Sequence, residues 1–406
     1  MAPSSRPIPA SPSSPLAAGL LRVLIALIIL RPWDYAPELA SVRPVSVMIV
    51  AGALAWLLSK PQIRAFSDPP ARPLWLLLGL IVATAPLSHW PTRSAEVAFK
   101  VVQDLAIFTF IAHLAATPAE LFRLTRWIVA CCAFHGCFAL VKYAAEGMGP
   151  PERVYGAGAG SFADPNDLAL SLVMVFPLAW WLVQSGATRR GRFLAFAALM
   201  AMLGGILITQ SRGGLLALGA AVLVLGIRSR NPLAFLTKTL AIGATVLLLM
   251  LPTGSLDRYA SIPQYQSDES AMTRVAIWKA GLRMVGDHPL TGVGAGTFEL
   301  VYGKHYIDRQ NAGNVWRAAH SSYIQAAAEL GIVGLLIWLA LPLSGFLTVS
   351  RLQHALRGPA AALDEADALD RWADAMAAGL VGFLVGAAFL SRAYDTLLVI
   401  LLGMAA

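Results

Sequence analysis

The chain has 406 residues, of which 57% are hydrophobic and only 13% charged. Soluble domains carry roughly 25% charged residues, so a deficit that persists along the whole chain excludes an ordinary soluble fold and points to a multi-pass membrane protein. The net charge of +8 does not signal nucleic acid, because the basic residues fall in short connections between apolar runs, as membrane orientation requires.

Residues 1–15 are rich in Pro and Ser and read as a disordered tail. The apolar run Leu16–Leu30 has no small-residue cleavage site before Arg31, so it reads as an uncleaved first span rather than a signal peptide. A spanning helix needs about 20 apolar residues, with tolerance on either side. The chain offers about twelve such runs, at roughly 16–30, 44–59, 73–88, 98–115, 124–143, 167–184, 193–209, 213–227, 233–251, 322–349, 373–390 and 394–405. They are continuous rather than alternating, which excludes a β-barrel. The expected fold class is all-α: a polytopic transmembrane helical bundle of about twelve spans with one large, partly helical outside loop. Spans one to nine occupy residues 16–251, the loop 252–319, and the last three spans 320–406.

Orientation follows from Lys and Arg. With the N-terminus inside, the inside connections hold sixteen basic residues and the short outside ones eight, seven more lying in the long loop. Both termini are expected in the cytoplasm and the loop outside. Cys131, Cys132 and Cys137 fall within one apolar run at a spacing that matches no metal or disulfide framework, and read as core residues. No clustered His, Asp and Glu set argues for a catalytic metal.

Four places could carry chemistry. Asp164 and Asn166, in the phrase Phe162-Ala-Asp-Pro-Asn-Asp-Leu-Ala169, precede span six. Capping explains them, with contact to a sugar or acceptor as the functional alternative. Arg212 lies in the tight outside turn Gln210-Ser-Arg-Gly-Gly214. It is either a snorkelling arginine or a ligand for diphosphate oxygens, approached closely past Gly213 and Gly214. Residues 271–287 read as an amphipathic helix with an apolar stripe Ala271, Val275, Trp278, Leu282 and Val285. Arg274 borders that stripe, on the flank opposite Lys279 and Arg283. His320 stands where the tenth span starts, where a helix dipole disfavours imidazolium and leaves a neutral base. The run Gly292-Val-Gly-Ala-Gly296 follows His288-Pro289 rather than a strand, so it reads as a turn beside the membrane, not a dinucleotide site.

Together with Thr273-Arg-Val-Ala-Ile-Trp278, His288-Pro-Leu-Thr-Gly-Val-Gly-Ala-Gly-Thr-Phe298 and His320-Ser-Ser-Tyr-Ile-Gln-Ala-Ala-Ala-Glu-Leu-Gly-Ile-Val-Gly334, these phrases resemble the O-antigen ligase and polymerase superfamily of bacterial membrane glycosyltransferases. The resemblance covers residues 162–334. It implies a metal-independent, inverting transfer without cofactors, from an undecaprenyl-diphosphate-linked glycan to a glycolipid, glycan or protein acceptor. It implies a site on the periplasmic face of the inner membrane, among membrane lipids and with no nucleic acid. Arg212 and Arg274 are the positions matching the family's diphosphate-binding arginines, and His320 matches its acceptor-activating histidine. Ligation to a lipid A core sugar, polymerisation of repeats and protein O-glycosylation share these motifs. A transporter or flippase is the rival from another class, and would need charges along a central path such as Lys100 and Asp104. A non-catalytic scaffold would leave the paired arginines unexplained.

Overall fold

The computed structural model describes residues 15–58, 68–146, 162, 164–250, 269–307, 316–357 and 365–406. Every regular element among these residues is helical. Nine helices come first: α1 Pro15–Leu30, α2 Pro44–Leu58, α3 Ala71–Thr84, α4 Pro91–Leu114, α5 Pro118–Ala145, α6 Pro165–Ser185, α7 Arg189–Ile208, α8 Arg212–Ile227 and α9 Pro232–Met250. The loop contributes α10 Glu269–Asp287, the single turn α11 Phe298–Val301 and a π-helical turn Tyr302–Tyr306. Then follow α12 Ser322–Leu356, α13 Ala366–Ala387 and α14 Thr396–Ala405. Much of the expected tail and loop, residues 1–14, 251–268 and 308–315, lies outside the described residues.

Local sequence starts these helices where they start. Thr117, Asp164, Thr188, Ser211, Ser321 and Asp395 each accept a hydrogen bond from a backbone N–H of the helix they precede, satisfying donors that the first turn leaves open. Pro91, Pro118 and Pro165 occupy first helical positions, where the missing N–H costs nothing.

Helices occur at all twelve expected places, but twelve membrane crossings do not follow. Among the described residues, six helices are long and apolar enough to cross: Pro15–Asp34, Pro91–Leu114, Pro118–Ala145, Pro165–Ser185, Arg189–Ile208 and Ser322–Leu356. Pro44–Ala55, Ala71–Leu87, Arg212–Ile227 and Thr396–Ala405 are shorter apolar helices. At ten residues α14 extends about 15 Å, half the hydrocarbon thickness. It is buried by its neighbours along nearly its whole length. The first turns of α13 carry Asp367, Asp370, Arg371 and Asp374, too many charges for a simple span.

The bundle is organised around α6, which is buried almost end to end among α5, α7, α8 and α13. Large apolar side chains remain exposed on the outer helix faces, among them Leu54, Leu76, Phe99, Val141, Phe193 and Leu223, as a lipid-facing surface requires. Lys100 and Asp104 do not open a path. They pair at 2.8 Å, and Thr396 bonds both, locking α14 onto α4.

The loop packs as a small second core of Ile277, Ala280, Met284, Val293, Phe298, Val301, Tyr302, Ala319 and Ala328. Its helix α10 is rotated relative to the expected stripe. The buried line is Ile277, Ala280, Gly281 and Met284, while Leu282 is 58% exposed. Ile277 and Met284 take the inner face because Gly281, between them, is the point of closest approach to α12: a Cβ there would sit 2.3 Å from the Ile324 side chain.

Candidate functional site

The rotation of α10 changes the position of Arg274. At 100° per residue, Arg274 lies almost in line with Gly281, on the face turned towards α12, rather than merely beside a buried stripe. Lys279 and Arg283 fall on the opposite face and are exposed, Arg283 donating to the Tyr306 carbonyl at 3.1 Å. One turn beyond Arg274, Trp278 donates its indole N–H to the Ala319 carbonyl at 3.0 Å. That bond ties the helix carrying Arg274 to the residue before His320.

His320 precedes the N-cap Ser321 and adopts a left-handed conformation, φ 49°. Its backbone N–H donates to the Ser391 hydroxyl at 2.8 Å. The Ser322 hydroxyl donates to the Leu390 carbonyl at 2.6 Å and accepts from the Arg392 N–H at 2.8 Å. The turn between α13 and α14 therefore holds the start of α12 from below. Burial holds the His320 imidazole below its ordinary pKa, and the Arg274 and Arg317 charges push the same way. Asp164 pulls in the opposite direction. Arg274, His320 and Asp164 thus share one electrostatic environment, although they are far apart in the chain.

Asp164 caps α6, accepting from the backbone of Asn166 at 2.7 Å and of Asp167 at 3.4 Å. Its carboxylate also receives the Asn166 side-chain amide at 3.0 Å. The Asn166 carbonyl oxygen accepts from the Ser211 hydroxyl at 2.9 Å. Ser211 in turn caps α8, whose first residue is Arg212. The Asp-Pro-Asn phrase and the Ser-Arg-Gly turn are consequently one hydrogen-bonded unit. Capping accounts for Asp164, while Asn166 positions the turn that carries Arg212. Gly213 and Gly214 sit at close packing contacts. A Cβ at Gly213 would meet Phe389 at 2.9 Å, and one at Gly214 would meet Ala169 at 2.6 Å. They let α8 seat against α6 and the α13–α14 turn.

Sequence reasoning did not assign a role to the residues beneath the site. Arg392 is 7% exposed and pairs with Asp395, with Ser171 at 3.3 Å and with Asp167 at 3.9 Å. Charges inside apolar segments are rare and face the bundle interior; that rule flags Arg392, Asp395 and Glu329 from sequence alone.

Glu329, 1% exposed, organises the glycine run. It accepts from the N–H groups of Gly296 at 2.8 Å and Phe298 at 3.1 Å, and from the Tyr394 hydroxyl at 2.7 Å. Gly331 breaks α12 with φ 71°, freeing the Ala328 and Glu329 carbonyls to accept from Val293 and Gly294. Gly292, φ 64°, admits no side chain, since a Cβ would sit 2.2 Å from the Glu329 backbone. These glycines fasten the loop to α12 and to the first turn of α4, where the Ser94 hydroxyl donates to the Ala295 carbonyl at 3.1 Å. The run forms a tight turn, with Gly292, Gly294 and Gly296 all at positive φ. The His89 ring lies beside those of His288 and His305, with ring centroids 5.1 and 5.7 Å away. Among the described residues, no group of three or more His, Cys, Asp or Glu is arranged to hold a metal ion.

These features define a multi-pass helical membrane protein in which a packed loop is fastened to α12 and to the start of α4, and in which the starts of α6 and α8 are hydrogen-bonded to each other. Residues 197–339 match the family model described as O-Antigen ligase, and this match supports the O-antigen ligase superfamily. The matched segment contains Arg212, Arg274 and His320 and stops short of Asp164 and Asn166. At the level of the family it indicates a membrane enzyme of the glycosyltransferase type, for which lipid-linked glycans and glycolipid or glycan acceptors are the general substrates. Comparison with curated proteins gave no match.

Proposed function

We propose that this protein transfers a glycan from undecaprenyl diphosphate to an acceptor hydroxyl, such as one on a lipid A core sugar, at the periplasmic face of the inner membrane. The carrying observation is the packing of α10, which turns the Arg274 face towards α12 and ties Trp278 to Ala319, next to His320. In this reading the acceptor oxygen attacks the anomeric carbon from the side opposite the diphosphate. The bond from that carbon to the diphosphate oxygen breaks, and the configuration inverts. The acceptor proton passes to the imidazole of His320, and undecaprenyl diphosphate leaves with the electron pair.

Arg212 and Arg274 supply fixed positive charge where negative charge develops on the leaving group, an arrangement that stabilises the transition state more than the ground state. Burial and the neighbouring guanidinium groups keep His320 in its neutral, proton-accepting form. A base of this kind contributes about 10²–10⁴-fold. The Arg274 charge acting on a half-buried histidine favours group transfer over a transport path, and the locked Lys100–Asp104–Thr396 network supports the same choice.

The test is reconstitution of the purified protein with a labelled undecaprenyl-diphosphate glycan and candidate acceptors: core glycolipid, repeat-unit glycan and peptide. Product on the glycolipid supports ligation; product on repeat units or peptide would redirect the acceptor assignment. Carrier translocation without glycosidic product would overturn the transferase reading.

A further inference from the structure

At the other end of the bundle lies a cavity of about 1440 Å³. It sits where α6, α8 and α12 end and where α9 and α13 begin, roughly 24 Å from Arg212 along the sixteen residues of α8. One wall is apolar: Trp180 meets Phe235 edge-on at 5.7 Å, beside Phe196 and Leu225. The other wall is cationic, with Arg228, Arg230, Arg357 and Arg371.

Two of these arginines are committed to the fold. Arg228 donates to Gln353 at 2.7 Å and to Asp374 at 3.1 Å, and Arg230 pairs with Asp367 and, at 3.8 Å, with Asp370. The other two retain capacity. Arg371 reaches Asp367 through Nη1 at 2.6 Å, but its Nε is buried with no hydrogen-bond partner among the described residues. Arg357, at the end of α12, makes no ion pair among the described residues. Among the described residues, these four arginines set against Asp367, Asp370 and Asp374 leave one positive charge in surplus. A buried, unbonded guanidinium N–H is costly unless a further acceptor reaches it.

We propose that this cavity binds an anionic phospholipid, its phosphodiester between Arg357 and Arg371 and an acyl chain along Trp180 and Phe235. A phosphodiester supplies one negative charge and acceptor oxygens that suit an arginine fork. The Trp and Phe wall provides the amphipathic surface that interfacial lipids favour. The outer side of α9 exposes Leu233 and Leu240 by 72% and 62%, so a chain leaving the cavity stays in apolar surroundings. This assignment stands independently of the transfer reaction.

The experiment measures lipid retention by the full-length purified protein in neutral detergent, using native mass spectrometry and photo-activatable acyl probes. Phosphatidylglycerol should outcompete phosphatidylcholine by about 10-fold or more, and the probe should label α6 or α9 near Trp180 or Phe235. Arg357→Gln breaks no ion pair, so folding should persist while that preference falls about 5-fold. Equal retention of both lipids, labelling elsewhere, or a preference unchanged in Arg357→Gln would overturn the site. Capture of inorganic phosphate alone, or a stronger preference for polyprenyl phosphate, would overturn the phospholipid assignment.

Discussion

Replacing Glu329 by Gln tests how the loop is fixed over the membrane helices. The substitution keeps size and shape but turns one acceptor oxygen into an NH₂ donor. Oε1 receives Phe298 at 3.1 Å and Gln325 at 3.5 Å, while Oε2 receives Gly296 at 2.8 Å and Tyr394 at 2.7 Å. Whichever way the amide turns, its NH₂ faces at least one backbone N–H. The Tyr394 hydroxyl can rotate to accept; the N–H of Gly296 or Phe298 cannot. One buried backbone donor is left unsatisfied, at about 1–3 kcal/mol. Glu329→Ala removes both acceptors and should cost about twice that. The loop should open roughly 5- to 150-fold more often in Glu329→Gln, since 1.4 kcal/mol is tenfold. Hydrogen exchange of the peptide containing Gly296 and Phe298 measures this directly. Unchanged protection there, with intact folding elsewhere, would show that Glu329 does not hold the loop.

Other outcomes follow from the same geometry. Arg274→Ala should cut transfer at least tenfold with normal membrane expression, whereas Lys279→Ala, on the exposed face, should change it less than twofold; equal effects in a transfer assay would dissolve the distinction. Arg212→Lys keeps the charge but loses the planar fork, and should lower donor affinity measured with labelled carrier. Because His320 is held below its ordinary pKa of about 6.5, activity should rise with pH through a midpoint below that value and be flat above it. Its contribution to stability is complete above the unfolded pKa and is lost as pH falls towards the folded one; pH–rate and pH–melting profiles check both. Cysteines placed within residues 252–319 should react with an impermeant reagent in spheroplasts. Protection there, with labelling of residues 351–371, would reverse the proposed orientation.

Helix positions were legible because apolar runs, N-terminal prolines and capping side chains act locally. The number of crossings was not, because α14 and α13 depend on neighbours to cover a short helix and a charged first turn. Arg212, Arg274 and His320 stood out as polar residues at helix starts or beside an apolar face. The phase of α10 was misjudged because Gly281, counted as no part of a stripe, decides the packing: its missing side chain lets α10 approach Ile324. The role of Asn166 was half legible, since its bond to Ser211 joins residues 45 positions apart. The support from Ser391, Arg392 and Glu329 has no local signature beyond charge or polarity within an apolar stretch.

His320 is proposed to take the acceptor proton in a transfer from lipid diphosphate. Single-turnover transfer by purified His320→Ala, with donor binding measured on the same sample, tests it most directly. The rate should fall about 10²–10⁴-fold with donor affinity nearly unchanged. A rate near that of the unaltered protein, or loss of donor binding in this variant alone, would contradict it.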